Sequence, residues 1–223
     1  MVSIILEDLE IPLDISGLDA FRCWTRSAKF PENGRIDYVC GNIEVSMSPE
    51  ELYSHGRVKV VLTCALELIS QQLKSGELYV DSTRVVSEEG NLSAEPDLVF
   101  VSYQSLKTGL VVRTPGTRRD DAFIELTGGP DMIAEIVSDS SVAKDTVRLP
   151  AAYYLAGVTE YWLVDARNEE IIFNIFRRGE AQFDPSSVDS EGFAMSEVFR
   201  RSFRLIRNKT SEGYWHFELQ SKL

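Results

Sequence analysis

The chain has 223 residues, with 23 Lys+Arg against 35 Asp+Glu and 2 His, for a formal net charge of -12 and a sequence pI near 4.7. At roughly 100–200 residues per domain, this length suits one elaborated domain that buries about 70% of its unfolded surface. Hydrophobic residues at 43% and charged residues at 26% argue against disordered, collagen-like and coiled-coil classes. No apolar run reaches the ~18–20 residues of a membrane-spanning helix, because Glu67, Gln71 and Gln72 interrupt the richest stretch. The acidic start MVSIILEDLE lacks the cationic head of a secretory signal, so a cytoplasmic location is expected. Cys23, Cys40 and Cys64, odd in number and without C-x-x-C spacing, are expected to be reduced and mostly buried. With His55 and His216 far apart, a histidine-rich metal centre is disfavoured and chemistry falls to carboxylates.

Taken in chain order, Leu18, Phe21 and Trp24 after Ser16 predict a short amphipathic helix with Ser16 as its N-cap, closed by Pro31 and Gly34. Ile36–Val39 and Ile43–Met47 flank Cys40, Gly41 and Asn42, a hairpin signal in which Gly-Asn supplies the positive φ. Pro49 opens a long helix whose apolar stripe runs to Leu73 and which Gly76 terminates. Strands are expected over 77–80, 83–86 and 98–101, the last a continuous apolar run suited to burial on both faces. Residues 104–122 are polar, with Pro, Gly and charge clusters, and read as a surface excursion. Strands follow over 123–126 and 132–137. Residues 142–156 predict a helix that Pro150 interrupts near residue 149 and Gly157 caps. Further strands are expected over 161–164, 171–176, 203–206 and 214–219, giving one α/β or α+β domain built on a mixed sheet.

Two acidic residues are out of pattern. Asp97 opens an apolar strand, and Glu135 interrupts the run Ile133, Ala134, Ile136, Val137, where an unpaired carboxylate costs several kcal/mol. Either basic partners and backbone donors compensate them, or they hold a hard divalent cation, since Mg²⁺ takes one or two protein carboxylates with waters and phosphate oxygens.

Glu95-Pro96-Asp97 at a strand start, a second strand bearing Glu135 and a helix containing Lys144 together resemble the PD-(D/E)XK nuclease superfamily, the restriction-endonuclease-like fold. The block 134–141 (AEIVSDSS), Lys144-Asp145, Tyr153, Ala156-Gly157-Val158 and 160–165 (EYWLVD), with Asp37-Tyr38-Val39-Cys40-Gly41 and Ser54-His55-Gly56 upstream, is similar to the Uma-type family of restriction-like endonucleases. The resemblance runs from about residue 16 to residue 177. It implies a single domain over 1–223 whose mixed sheet is flanked by helices, with an added N-terminal hairpin and a C-terminal strand extension over 178–223.

The resemblance also implies site residues. Asp97 and Glu135 would hold Mg²⁺ or Mn²⁺, and Lys144 or Arg148 would supply the cation that steadies the phosphorane, with Asp37 and His55 as further site candidates. Departures are visible: Val137 stands two residues after Glu135, and Leu149 stands where the family commonly carries its lysine. The implied activity is metal-dependent cleavage of DNA by a homodimer. The alternative is a catalytically weakened module for nucleic-acid or protein interaction, which the net charge favours. Phosphate contacts would need a gathered cationic face, for which Arg113, Arg118, Arg119, Arg177, Arg178, Arg200, Arg201 and Arg204 are candidates.

Overall fold

The computed structural model describes residues 3–6, 9–31, 34–116 and 121–223. A hairpin of β1 (Ser3–Leu6) and β2 (Leu9–Pro12) leads to helix α1 (Leu18–Thr25). Leu18, Phe21 and Trp24 are its buried face, as their spacing predicts, but Gly17 rather than Ser16 holds the N-cap position. The next hairpin pairs β3 (Arg35–Val39) with β4 (Asn42–Ser46). Cys40 and Gly41 form its turn at φ 49° and 89°, so Cys40 shares the left-handed backbone and Asn42 already belongs to the return strand.

One π-helical turn, Leu52–Arg57, precedes helix α2 (Val58–Leu73), and Glu51 caps it by accepting from the backbone N–H of Tyr53 and Ser54. The helix ends at Lys74 in the left-handed conformation, not at Gly76. Gly76 opens β5 (Gly76–Val80), where a Cβ would lie 2.3 Å from the Val101 carbonyl oxygen; close strand approach is what demands glycine there. β6 (Arg84–Ser87), the unanticipated β7 (Leu92–Ala94) and β8 (Leu98–Ser102) follow. The expected surface excursion over 104–122 is largely regular instead. It holds α3 (Tyr103–Thr108), capped by the Ser102 hydroxyl, and β9 (Val111–Pro115), anchored by buried Val111.

After β10 (Phe123–Gly128) and β11 (Met132–Ile136), a π-helical turn Lys144–Arg148 runs directly into α4 (Leu149–Ala156). Pro150 sits in the first turn of α4, where its missing N–H costs little, and Gly157 closes the helix at φ 91°. The remaining strands are β12 (Glu160–Asp165), β13 (Ile172–Arg178), β14 (Phe183–Pro185), β15 (Ala194–Ser196), β16 (Arg201–Lys209) and β17 (Trp215–Lys222).

The central sheet has the order β14-β13-β12-β11-β8-β5, and an outer sheet the order β4-β3-β7-β6-β10-β9. In the central sheet only β11 and β12 pair in parallel, joined by the segment containing α4. One face of that sheet buries Leu98, Phe100, Ala134 and Trp162 against α2 and the small sheet β15-β16-β17. The opposite face buries Val99, Ile133 and Tyr161 against α4 and the outer sheet. On its far side the outer sheet packs Ile36 and Val86 against α1 and β2. The result is an α+β molecule of mixed sheets and few helices, as expected. The three cysteines are all exposed rather than buried, Cys40 because it occupies a turn tip.

Candidate active site

Strand register sets the site. β8 and β11 run antiparallel with Leu98 opposite Ala134 and Val99 opposite Ile133, so one further step brings Asp97 opposite Glu135. Side chains alternate along a strand. Asp97 and Glu135 therefore share the face of Val99 and Ile133, toward α4 and the outer sheet. Both are about 1% exposed.

Their surroundings differ. The backbone N–H of Ile136 donates to Asp97 Oδ2 at 2.8 Å, and Arg35 Nη2 donates to Oδ1 at 2.8 Å. Lys59 Nζ stands 3.3 Å from Oδ1 and His55 Nε2 3.4 Å from Oδ2. Burial alone would raise the Asp97 pKa, but the His55 hydrogen bond and the charges of Arg35, His55 and Lys59 hold it well below the usual carboxylate range. Lys59 also donates to Asp81 Oδ1 at 2.7 Å and to Glu50, and the opposite nitrogen of His55, Nδ1, lies 3.6 Å from Glu50 Oε2. One donor atom each from Glu50, His55 and Asp97 falls within 4.8 Å of the others.

Glu135 is under-served by comparison. Tyr153 donates to its Oε1 at 2.6 Å, while Oε2 has no hydrogen-bond partner among the described residues. Burial, then the charges of Asp97 and Asp145, push its pKa well up against the opposing Lys144 and Arg35. Asp145 is similar: Ser141 donates to Oδ2, Oδ1 is unpartnered, and burial raises its pKa to about 6. Lys144 Nζ donates to Asp37 Oδ2 at 3.0 Å, and Asp37 Oδ1 accepts the Glu95 N–H at 2.9 Å. Burial would lower the Lys144 pKa, yet Asp37, Glu135 and Asp145 raise it, so its charge is secure.

Local backbone explains the placement. The wide π-helical turn directs two successive residues inward, so Lys144 and Asp145 are both buried, and the Tyr161 hydroxyl pins this turn through the Asp145 carbonyl at 2.6 Å. Such turns recur at functional sites. The same turn separates Arg148 from Lys144, because a four-residue spacing gives a shared face only at α-helical pitch. Arg148 points outward and grips Glu44 of β4 at 2.6 and 2.7 Å. Asp97, Glu135, Lys144, Asp37 and His55 thus converge, and Arg148 stands apart. Leu149 is buried in the core beside Tyr153, and Arg35 and Lys59 crowd Asp97 with cations from elsewhere. Neither was singled out by sequence, nor were Glu50, Asp145 and Tyr153 as site residues. The signals available were the family-like block, which already contained Asp145 and Tyr153, and the closeness of Glu50 and Lys59 to His55 in the chain.

A cleft of about 1030 Å³ opens onto this cluster. Residues 46–51 and 53–55 form one wall, Ile136, Ser138–Ser141 and Lys144 line the floor, and Ala166–Asn168 with Arg207, Trp215 and Phe217 form the other wall. None of the expected phosphate-binding arginines that the structure describes lines it. Arg113 pairs with Glu77, Arg177 with Glu197, Arg178 stacks on Tyr154 and Arg204 on Phe193. Arg118 and Arg119 lie outside the described residues. The arginines that do line the cleft are Arg35, Arg167 and Arg207.

Fold and site together define a protein of the restriction-endonuclease-like nuclease class. The chain matches the model of the Uma2 family, described as "Putative restriction endonuclease", over residues 18–206, and it belongs to that family. Among solved structures it is similar to a "putative nuclease belonging to DUF820" from Anabaena variabilis ATCC 29413. That match has a TM-score of 0.60 at 15% identity and covers 82% of this chain and 90% of the other; at that identity the likeness shows the fold alone. Comparison with curated proteins gives no match.

Families of this class generally use divalent metals, and among the described residues the trio whose donor atoms lie within 4.8 Å of one another is Glu50, His55 and Asp97, with Glu135 and Asp145 offering further carboxylate oxygens beside Asp97. Glu135 is buried beside the like charges of Asp97 and Asp145, and Glu135 Oε2 and Asp145 Oδ1 have no hydrogen-bond partner among the described residues. A hard cation with oxygen ligands is the chemistry that relieves both conditions.

Proposed function

We propose that this chain is a metal-dependent endonuclease acting on DNA, with Asp97 and Glu135 holding Mg²⁺ or Mn²⁺ and Lys144 as the neighbouring catalytic cation. The observation that carries the reading is the unpartnered Glu135 Oε2, buried beside Asp97 and Asp145 beneath an open cleft. A bound divalent ion supplies Lewis-acid polarisation of a phosphate oxygen and an acidified water. The chain supplies the rest. Tyr153 and the Ile136 N–H fix the orientation of Glu135 and Asp97, respectively. Asp37, held by the Glu95 amide, aims Lys144 and keeps it charged, so an ammonium stands ready where negative charge develops on a phosphate. His55, between Glu50 and Asp97, is placed to pass a proton between the buried cluster and the cleft.

The test is calorimetric and enzymatic together. Wild type binds Mn²⁺ and cleaves DNA, cleavage stops with EDTA, and Glu135→Gln loses both activities while keeping the fold. Undiminished Mn²⁺ binding by that variant rejects the assignment. A second reading, a weakened interaction module, draws on one observation: Arg35, Lys59 and His55 already surround Asp97. It predicts DNA or protein binding that EDTA leaves untouched and no cleavage with either metal.

A further inference from the structure

The hairpin β16–β17 changes character along its length. On its inward face Leu205 pairs with Leu219, Arg207 with Phe217, and Lys209 with Trp215. Leu205, Phe217 and Leu219 belong to the core beneath the central sheet, and past Phe217, whose edge reaches the cleft, Arg207 and Trp215 leave the core to wall it. A hairpin needed only to cover a core has no reason to end its inner face in a tryptophan and two cations.

The cations here have different duties. Arg207 donates to the carbonyl oxygens of Ala166, at 3.1 Å, and of Asn168, at 2.7 Å, and its guanidinium lies 4.5 Å from the Trp215 ring centroid. It therefore ties the hairpin to the β12–β13 turn and fixes the indole. Lys209 Nζ lies 4.7 Å from the same ring and, among the described residues, pairs with no carboxylate. By contrast Arg35, Lys144 and Arg167, which line the cleft itself, are each committed to an aspartate. Lys209 beside the mouth is thus free to meet a phosphate. Trp215 remains 38% exposed, and the family match stops at residue 206, so this wall lies beyond what the family model describes.

We propose that the Trp215–Lys209 wall binds a single-stranded stretch of nucleic acid, an unpaired base stacking on Trp215 and its phosphate meeting Lys209. This deepens the nuclease reading and rests on it for the identity of the polymer. Stacking on an aromatic ring requires a base that has left the duplex stack, and such platforms bind single strands with little sequence preference. Duplex affinity instead grows with the number of phosphate contacts, and a cleft whose other cations are internally neutralised offers few.

Trp24 and Trp162 are buried, so quenching by a stacking base reports Trp215, and affinities of all variants are read in parallel from the anisotropy of a labelled oligothymidylate, which needs no tryptophan. With EDTA present, titration with an oligothymidylate at low salt should quench the wild-type emission. Trp215→Ala should weaken affinity at least fivefold, Trp215→Phe should retain affinity within about twofold, and Lys209→Ala should flatten the dependence of affinity on salt. Thermal melting of each variant confirms the fold. Equal affinity of wild type and Trp215→Ala, absence of quenching, or preference for duplex overturns the wall. Glu135→Gln separates the two readings: it should quench and bind like wild type while failing to cleave. If wild type quenches but never cleaves with Mn²⁺ or Mg²⁺, the nuclease reading fails and the wall stands.

Discussion

Two buried glutamates stand on neighbouring strands of the central sheet and have opposite relations to their surroundings. Glu160 of β12 is fully buried, yet its oxygens accept from the Ser196 hydroxyl at 2.7 Å, the Trp162 indole at 3.1 Å, the Val198 N–H at 3.0 Å and the Glu197 N–H. It pins the small C-terminal sheet to the central one. Glu135 of β11 is equally buried but has a single tyrosine donor and an orphan oxygen facing two other acids. A saturated buried carboxylate is structural; a starved one beside like charges is the feature on which the proposed metal site rests.

The largest effect that tests this contrast is on stability. Glu160→Ala orphans four donors and should cost about 3–5 kcal/mol in urea unfolding. Glu135→Gln should cost less than about 1 kcal/mol, since it also removes repulsion from Asp97 and Asp145. Comparable losses in the two variants would erase the distinction. The next effect is linkage: Mn²⁺ at about 100 times its Kd should stabilise wild type by about 2.7 kcal/mol, leave the increment intact in Glu160→Ala and abolish it in Glu135→Gln.

Both glutamates are visible in the sequence, but only one looked unusual. Glu135 breaks a run of branched apolar residues, so its burial could be read directly from pattern. Glu160 stands at a strand start beside Thr159 and near Gly157, where a polar residue is ordinary; three of its four donors arrive 36 to 38 positions later from β15 and the loop after it. The same reason hid Arg35, which reaches Asp97 from 62 positions away. The long helices and central strands were legible because each carries its own periodicity. β7 and β9 were not, being short strands whose partners are remote. Pairing with β10, not local composition, makes Val111–Pro115 regular.

A third effect concerns pH. The folded protein holds the Asp145 proton up to about pH 6, whereas the unfolded chain releases it near the ordinary aspartate value of about 3.9. Its contribution is therefore fully present below about pH 4 and is lost as pH rises through about 6, so metal-free wild type should lose stability across that interval relative to Asp145→Asn. Unfolding measured at pH 4 and pH 7 in EDTA checks this. Saturating Mn²⁺ should reduce the difference, since a cation stabilises the ionised form.

The smallest effect separates the two cations of the π-helical turn. Arg148 is 43% exposed and bound to Glu44, and an exposed pair of this kind contributes about 0–1 kcal/mol. Arg148→Ala should therefore change stability by less than about 1 kcal/mol and leave kcat near wild type. Lys144 lies inside the acidic cluster, and under the proposed mechanism its removal takes away the ammonium that meets the charge developing on the scissile phosphate, so Lys144→Ala should lower kcat tenfold or more while KM moves little. The asymmetry follows from the backbone: an α-helical turn would align positions four apart, and the π-helical turn between them sends one inward and the other to the rim. Equal kinetic losses in the two variants would mean that Arg148 leaves Glu44 and turns inward when substrate binds, and the static contrast between core and rim would no longer describe the working site.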